Sequence, residues 1–125
     1  MEGAAPAPEG TDRPPLSTLR RVDDVREETF ADEVLASPIP VVVDFWAPHC
    51  KPCDAIEPHL RDLAEEWRGR ARFVRVNADS SPTLVARYGV LSLPTVVLFS
   101  AGGPRETLYG LQSRSTFERK FGGYV

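Results

Sequence analysis

The chain has 125 residues, 42% of them hydrophobic, and a formal charge of −3, which suits one domain with one ordinary core. Basic and acidic residues are interspersed with no run of Lys or Arg, so the charge footprint of a nucleic-acid binder is absent. The longest apolar stretches, Ile39 to Val43 and Val96 to Phe99, are far too short to span a bilayer.

Residues 1–18 hold four of the twelve prolines (Pro6, Pro8, Pro14, Pro15) and only Leu16 as a large interior aliphatic. They read as a disordered extension with no core of its own, and the folded domain is expected over residues 19–125. The start of the chain has no basic segment leading into an apolar one, and a single cysteine pair does not make a disulfide scaffold. The expected compartment is therefore the cytoplasm.

A short strand over Leu19 to Val25 leads into a helix on Phe30, Val34 and Leu35, with Thr29 as its cap. Pro38 and Pro40 break the chain before Val41-Val42-Val43-Asp44-Phe45-Trp46. That near-continuous apolar run suits a central strand covered on both faces. From Cys50 to Trp67 the apolar positions Ile56, Leu60, Leu63 and Trp67 recur at helical spacing. Pro58 falls inside this helix and predicts a kink. Arg72 to Val76 is the next strand, which makes a right-handed parallel crossover with the helix before it.

Ser80-Ser81-Pro82 supplies a cap and a first-turn proline for a short helix through Tyr88, ended by Gly89. Thr95 to Phe99 is a strand, Ala101 to Pro104 is turn chemistry, and Glu106 to Tyr109 returns antiparallel. The last helix carries Phe117 and Phe121, with Ser113 or Ser115 as cap; Ser115 and Glu118 have capping-box spacing. Gly122-Gly123 ends it. This order of elements predicts an α/β domain whose mixed central sheet has helices on both faces.

The two cysteines stand three residues apart in Trp46-Ala47-Pro48-His49-Cys50-Lys51-Pro52-Cys53, where the apolar strand ends and the helix begins. A pair so placed can close a small ring, and the helix N-terminus favours a thiolate at Cys50. Cys50 is the expected nucleophile and Cys53 the resolving thiol, since Cys53 lies a turn further in. Cys53 then needs a base. Asp44, a carboxylate inside an apolar strand, is the expected proton acceptor, because burial raises its pKa toward working pH.

The segments Asp44-Phe45-Trp46-Ala47, Cys50-Lys51-Pro52-Cys53 with Pro58, Asn77-Ala78-Asp79, Tyr88-Gly89-Val90, Leu93-Pro94-Thr95, Phe99 and Gly110 together resemble the thioredoxin family. The resemblance runs over about residues 20 to 125. It implies the thioredoxin fold, with a five-stranded mixed sheet flanked by four helices. It also implies a protein-disulfide reductase that maintains redox balance and carries no bound cofactor, with reducing equivalents coming from NADPH through a thioredoxin reductase. The implied partners are that reductase and disulfide-containing proteins, and the expected state is a monomer.

The resemblance further implies a substrate-docking surface of Trp46, Leu93, Pro94, Thr95 and Gly110. An ordinary proline opening a strand follows a trans peptide, whereas the resemblance implies a cis one at Pro94. Three positions leave the family's habit: His49 where tryptophan is common, Lys51 where glycine is common, and Arg75 where a lysine often stands near the aspartate. With Pro52 they are the positions expected to tune the redox poise. Positive charge near Cys50 stabilises its thiolate and makes the pair more oxidising.

A zinc site of Cys50, Cys53, His49 and His59 matches by count, but its spacing is wrong for a finger and adjacent His49 and Cys50 struggle to reach one ion. The alternative from another functional class is a thioredoxin-fold binding or chaperone-like module without turnover, since fold alone never secures function.

Overall fold

The computed structural model describes residues 22–125; the extension read over 1–18, and Leu19 to Arg21 of the first predicted strand, lie outside the described residues. Five strands form one sheet: β1 (Val22–Asp24), β2 (Val41–Trp46), β3 (Arg72–Asn77), β4 (Thr95–Ser100) and β5 (Gly103–Tyr109). Their spatial order is β1-β3-β2-β4-β5. The β1, β3 and β2 strands run parallel, while β4 and β5 are antiparallel additions. Central position explains the composition of β2, whose first five residues are all buried, leaving no solvated face for polar residues.

Helix α1 (Glu27–Phe30) continues as a π-helical stretch, Ala31–Leu35. There the Ala36 N–H reaches back five residues to the Ala31 carbonyl at 2.9 Å, the bond pattern of a π turn. Helix α2 spans Lys51–Glu66 and is continuous through Pro58, whose missing N–H removes one rung of the ladder. Helix α3 is Pro82–Arg87 and helix α4 is Arg114–Phe121.

Alternation along β2 sends its side chains into two separate cores. Val42 joins Phe73, Val96 and Leu98 beneath Ile56, Leu60, Leu63 and Trp67 of the α2 segment and Phe117 and Phe121 of α4. Val41, Val43 and Phe45 join Val74, Val76, Val97 and Phe99 beneath Phe30, Val34 and Leu84. In this second core Phe99 meets Phe30 and Tyr88 edge-on, with ring centroids 5.5 and 5.0 Å apart. Arg114 ties α4 to α2 through Asp62 and Glu66.

The predicted strands and helices are present over the described residues; Ser113, one of the two serines expected to cap the last helix, does so, while the other caps differ from expectation. Thr29 is not the cap of α1: Arg26 holds that position, and Thr29 lies within the helix. Glu27 and Glu28 fill the first turn instead, where the helix dipole favours anions. Ser81 stands at the N-cap of α3 without a side-chain bond, because Glu27 Oε2 accepts the Thr83 and Leu84 N–H groups at 2.6 and 3.3 Å. The cap of α4 is Ser113, whose Oγ accepts the Thr116 N–H at 3.2 Å. Ser115 therefore falls inside that helix, and the Ser115–Glu118 capping box does not form.

The β4–β5 hairpin turns on Ala101 and Gly102, both at positive φ (55° and 85°), the backbone sign that a two-residue type I′ turn requires. Gly102 takes it freely and Ala101 does so at a cost. A register shift falls between Leu98 and Phe99 in the same hairpin.

Candidate active site

Cys50 is the N-cap of α2. Its Sγ accepts the Cys53 backbone N–H at 3.1 Å, and its carbonyl begins the helical ladder by accepting from Asp54 N–H at 3.3 Å. The first turn of a helix presents N–H groups with no intrahelical partner, and one of them is spent on this sulfur. Pro52, in the same turn, lacks the N–H that would otherwise be orphaned there. The two sulfurs are joined as a disulfide with Cα atoms 5.2 Å apart. Cys53 is 2% exposed, whereas Cys50 is only partly covered.

Asp44 projects to the same side of the sheet as Val42, beneath α2. It is 2% exposed, and its Oδ1 has no hydrogen-bond partner among the described residues. Burial pushes its pKa up to about 7; the Arg75 charge opposes that rise and the Glu57 charge adds to it. A carboxyl titrating near neutrality can take a proton and give it back at working pH.

Arg75 is the register neighbour of Asp44 on β3. Its guanidinium carbon sits 3.9 Å from the centroid of the Trp46 ring, a cation–π stack, and its Nη1 lies 3.7 Å from Glu57 Oε2. Glu57 was not legible as a site residue. It reads as one more solvated charge on α2, although its place one turn after Cys53 sets both on one helix face.

The Leu93–Pro94 peptide is cis. The Pro94 carbonyl accepts the Gly110 N–H at 2.8 Å, which joins the loop before β4 to the end of β5. Thr95 is buried, and its Oγ1 donates to the Ser92 carbonyl at 2.7 Å. Thr95 also pairs in register with Phe45, so this loop stands at the end of the sheet where β2 runs out toward Cys50. Nearby, Leu91 and Leu111 present bare apolar side chains to solvent.

The sequence model of the family described as Thioredoxin matches residues 21–121. The chain belongs to the thioredoxin family. It is 38% identical over 104 residues to a thioredoxin of Pyropia yezoensis, covering 83% of this chain and 97% of the relative. Thioredoxin 1 of Nostoc is 37% identical over 95 residues, or 76% of this chain and 89% of the relative. A chloroplastic M-type thioredoxin of Chlamydomonas reinhardtii is 38% identical over 101 residues, covering 81% and 72%.

As a thioredoxin, the chain is a thiol–disulfide oxidoreductase that reduces protein disulfides through a CxxC pair. The family carries no bound cofactor, acts on disulfide substrates and is reduced in general by thioredoxin reductase. Among the described residues no three His, Cys, Asp or Glu side chains are gathered to hold a metal ion. His49 and Lys51 flank Cys50 as exposed side chains.

Proposed function

We propose that Cys50 is the attacking thiolate of this thioredoxin, Cys53 its resolving thiol, and Asp44 the acceptor of the Cys53 proton. Cys50 Sγ attacks one sulfur of a substrate disulfide, forms a mixed disulfide and expels the other substrate sulfur as a thiolate. Cys53 passes its proton to Asp44 and attacks Cys50 Sγ, displacing the second substrate sulfur. Two electrons move to the substrate, whose sulfurs take up protons and leave as thiols, and the Cys50–Cys53 bond closes.

The observation that carries this reading is the Cys53 N–H donated to Cys50 Sγ at 3.1 Å. The same donor stabilises negative charge on that sulfur once the pair is reduced. The burial of Asp44 supports its assigned part, since a neutral-range carboxyl suits proton uptake from a thiol.

Substrate docks as an extended segment along Trp46, Leu93, Pro94, Thr95 and Gly110, where backbone at the loop edge offers pairing groups. His49, Lys51, Pro52 and Arg75 set the redox poise. In this reading the protein works in electron transport as a cytoplasmic monomer, and NADPH reopens its disulfide through a thioredoxin reductase.

Insulin-disulfide reduction combined with trapping by Cys53→Ser tests the assignment. Wild type turns over, and the variant accumulates mixed disulfides through Cys50. A folded variant that traps nothing, beside a wild type that does not turn over, points instead to a binding module.

A further inference from the structure

Asp44 and Arg75 are direct neighbours in the parallel β2–β3 register, and opposite charges so placed ordinarily pair across the strands. Here they do not. Among the described residues, the Arg75 guanidinium pairs with Glu57 at 3.7 Å and stacks on the Trp46 ring at 3.9 Å. Asp44 Oδ1 is left without a hydrogen bond. The Arg75 side chain is 14% exposed and Glu57 29%, so this pair is screened far less than one in open solvent.

We propose that Glu57 is a positioning residue for disulfide exchange: it holds the Arg75 guanidinium against Trp46 and away from Asp44, which leaves the Asp44 carboxyl free to take the Cys53 proton. The proposal rests on the reading of Asp44 as proton acceptor. A cation paired directly with Asp44 would favour the ionised carboxylate and make it a weak base for a thiol. Glu57 prevents that pairing by drawing the cation to α2.

The charged groups acting on Asp44 are Arg75 from β3 and Glu57 from α2. The register neighbour on β4, Val96, brings no charge, and α4 contributes Phe117 and Phe121 to this face. Glu57 Oε2 also accepts from Arg61 Nη2 at 2.6 Å. That i,i+4 pair joins Glu57 to the more exposed Arg61 and is an ordinary helix-surface contact. If Glu57 served only Arg61, neutralising it would not alter how Asp44 titrates.

Site-resolved carbon NMR of the Asp44 carboxyl in the oxidised full-length protein reads this directly. With Glu57→Gln the midpoint moves to lower pH, a proton affinity weaker by about three- to tenfold, and the pH profile of mixed-disulfide resolution moves with it. Arg61→Gln leaves the midpoint in place. In an Arg75→Gln background the same Glu57→Gln step shrinks to well under half.

An unmoved midpoint overturns the proposal. So does an equal step with and without Arg75, which would make Glu57 a direct field on Asp44 rather than a holder of the guanidinium. Failure of the underlying reading looks different: Asp44→Asn would then keep the wild-type pH profile of resolution, whatever the Glu57 titrations show.

Discussion

The two faces of the sheet are built from alternate residues of the same strands, yet they carry different burdens. Toward α1 and α3, β2 sends Val41, Val43 and Phe45 into a core closed by the Phe30, Phe99 and Tyr88 rings. Toward α2 and α4, the same strand sends Val42, Asp44 and Trp46, and the layer holds a buried carboxyl and a stacked guanidinium. An apolar face gains stability with every buried group. The α2 face gives some of that up at Asp44, since a buried carboxyl oxygen without a hydrogen bond is costly. The cost falls on the side where Cys53 is buried, so stability and chemistry are divided by the parity of one strand.

The largest test strikes the apolar face. Phe99→Ala removes the ring shared by Phe30 and Tyr88 and should cost about 3–5 kcal/mol in urea unfolding, while the Asp44 titration midpoint stays in place. A midpoint that moved with it would break the division between the faces.

Asp44→Asn should act in the opposite direction. The folded carboxyl titrates at about 7 against an ordinary 3.8, so between those values the folded state binds a proton that the unfolded chain does not. Wild-type stability therefore falls as pH rises from about 4 to about 7 and levels off above. The asparagine variant lacks this slope. It should be more stable than wild type by roughly 2–4 kcal/mol at pH 8, with the gain vanishing toward pH 4, while insulin reduction slows. Unfolding midpoints across that range decide the matter.

Smaller effects sharpen the same contrast. Glu27→Ala uncaps α3 on the apolar face and should cost about 1 kcal/mol with an unchanged reduction potential. Lys51→Gly should do the reverse: stability holds, and the potential becomes more negative by about 10–20 mV in a glutathione-coupled equilibrium. A wild type equal to or more negative than the variant would remove Lys51 from the tuning set.

Strong local signals made most of this legible in the sequence. The β-branched run before Trp46 specified a central strand, the spacing of Ile56, Leu60, Leu63 and Trp67 specified α2, and the cysteines stood where those two patterns met. The caps were harder to read, for two physical reasons. Ser113 and Ser115 are chemically alike and differ only in backbone conformation, while the bonds at the start of α3 come from Glu27, 56 residues earlier than Thr83. Glu57 escaped notice for a related reason: its significance lies in a strand register that brings Arg75 beside Asp44, and a helix pattern carries no trace of that. The one signal available was its distance of one turn from Cys53.

The margins of the sheet bear on how readily another strand could add to it. An unpaired strand edge invites another molecule to zip onto it and begin a growing stack. Here β1 offers three residues among the described ones. The β5 edge carries Pro104, which has no N–H to give, beside exposed Arg105, and the register shift at Leu98/Phe99 breaks its line. The flat, hydrogen-bonding stretch that aggregation needs is interrupted at the hairpin end. The end left plain, at Tyr109 and Gly110, is the one beside Pro94, where the proposed substrate segment would pair.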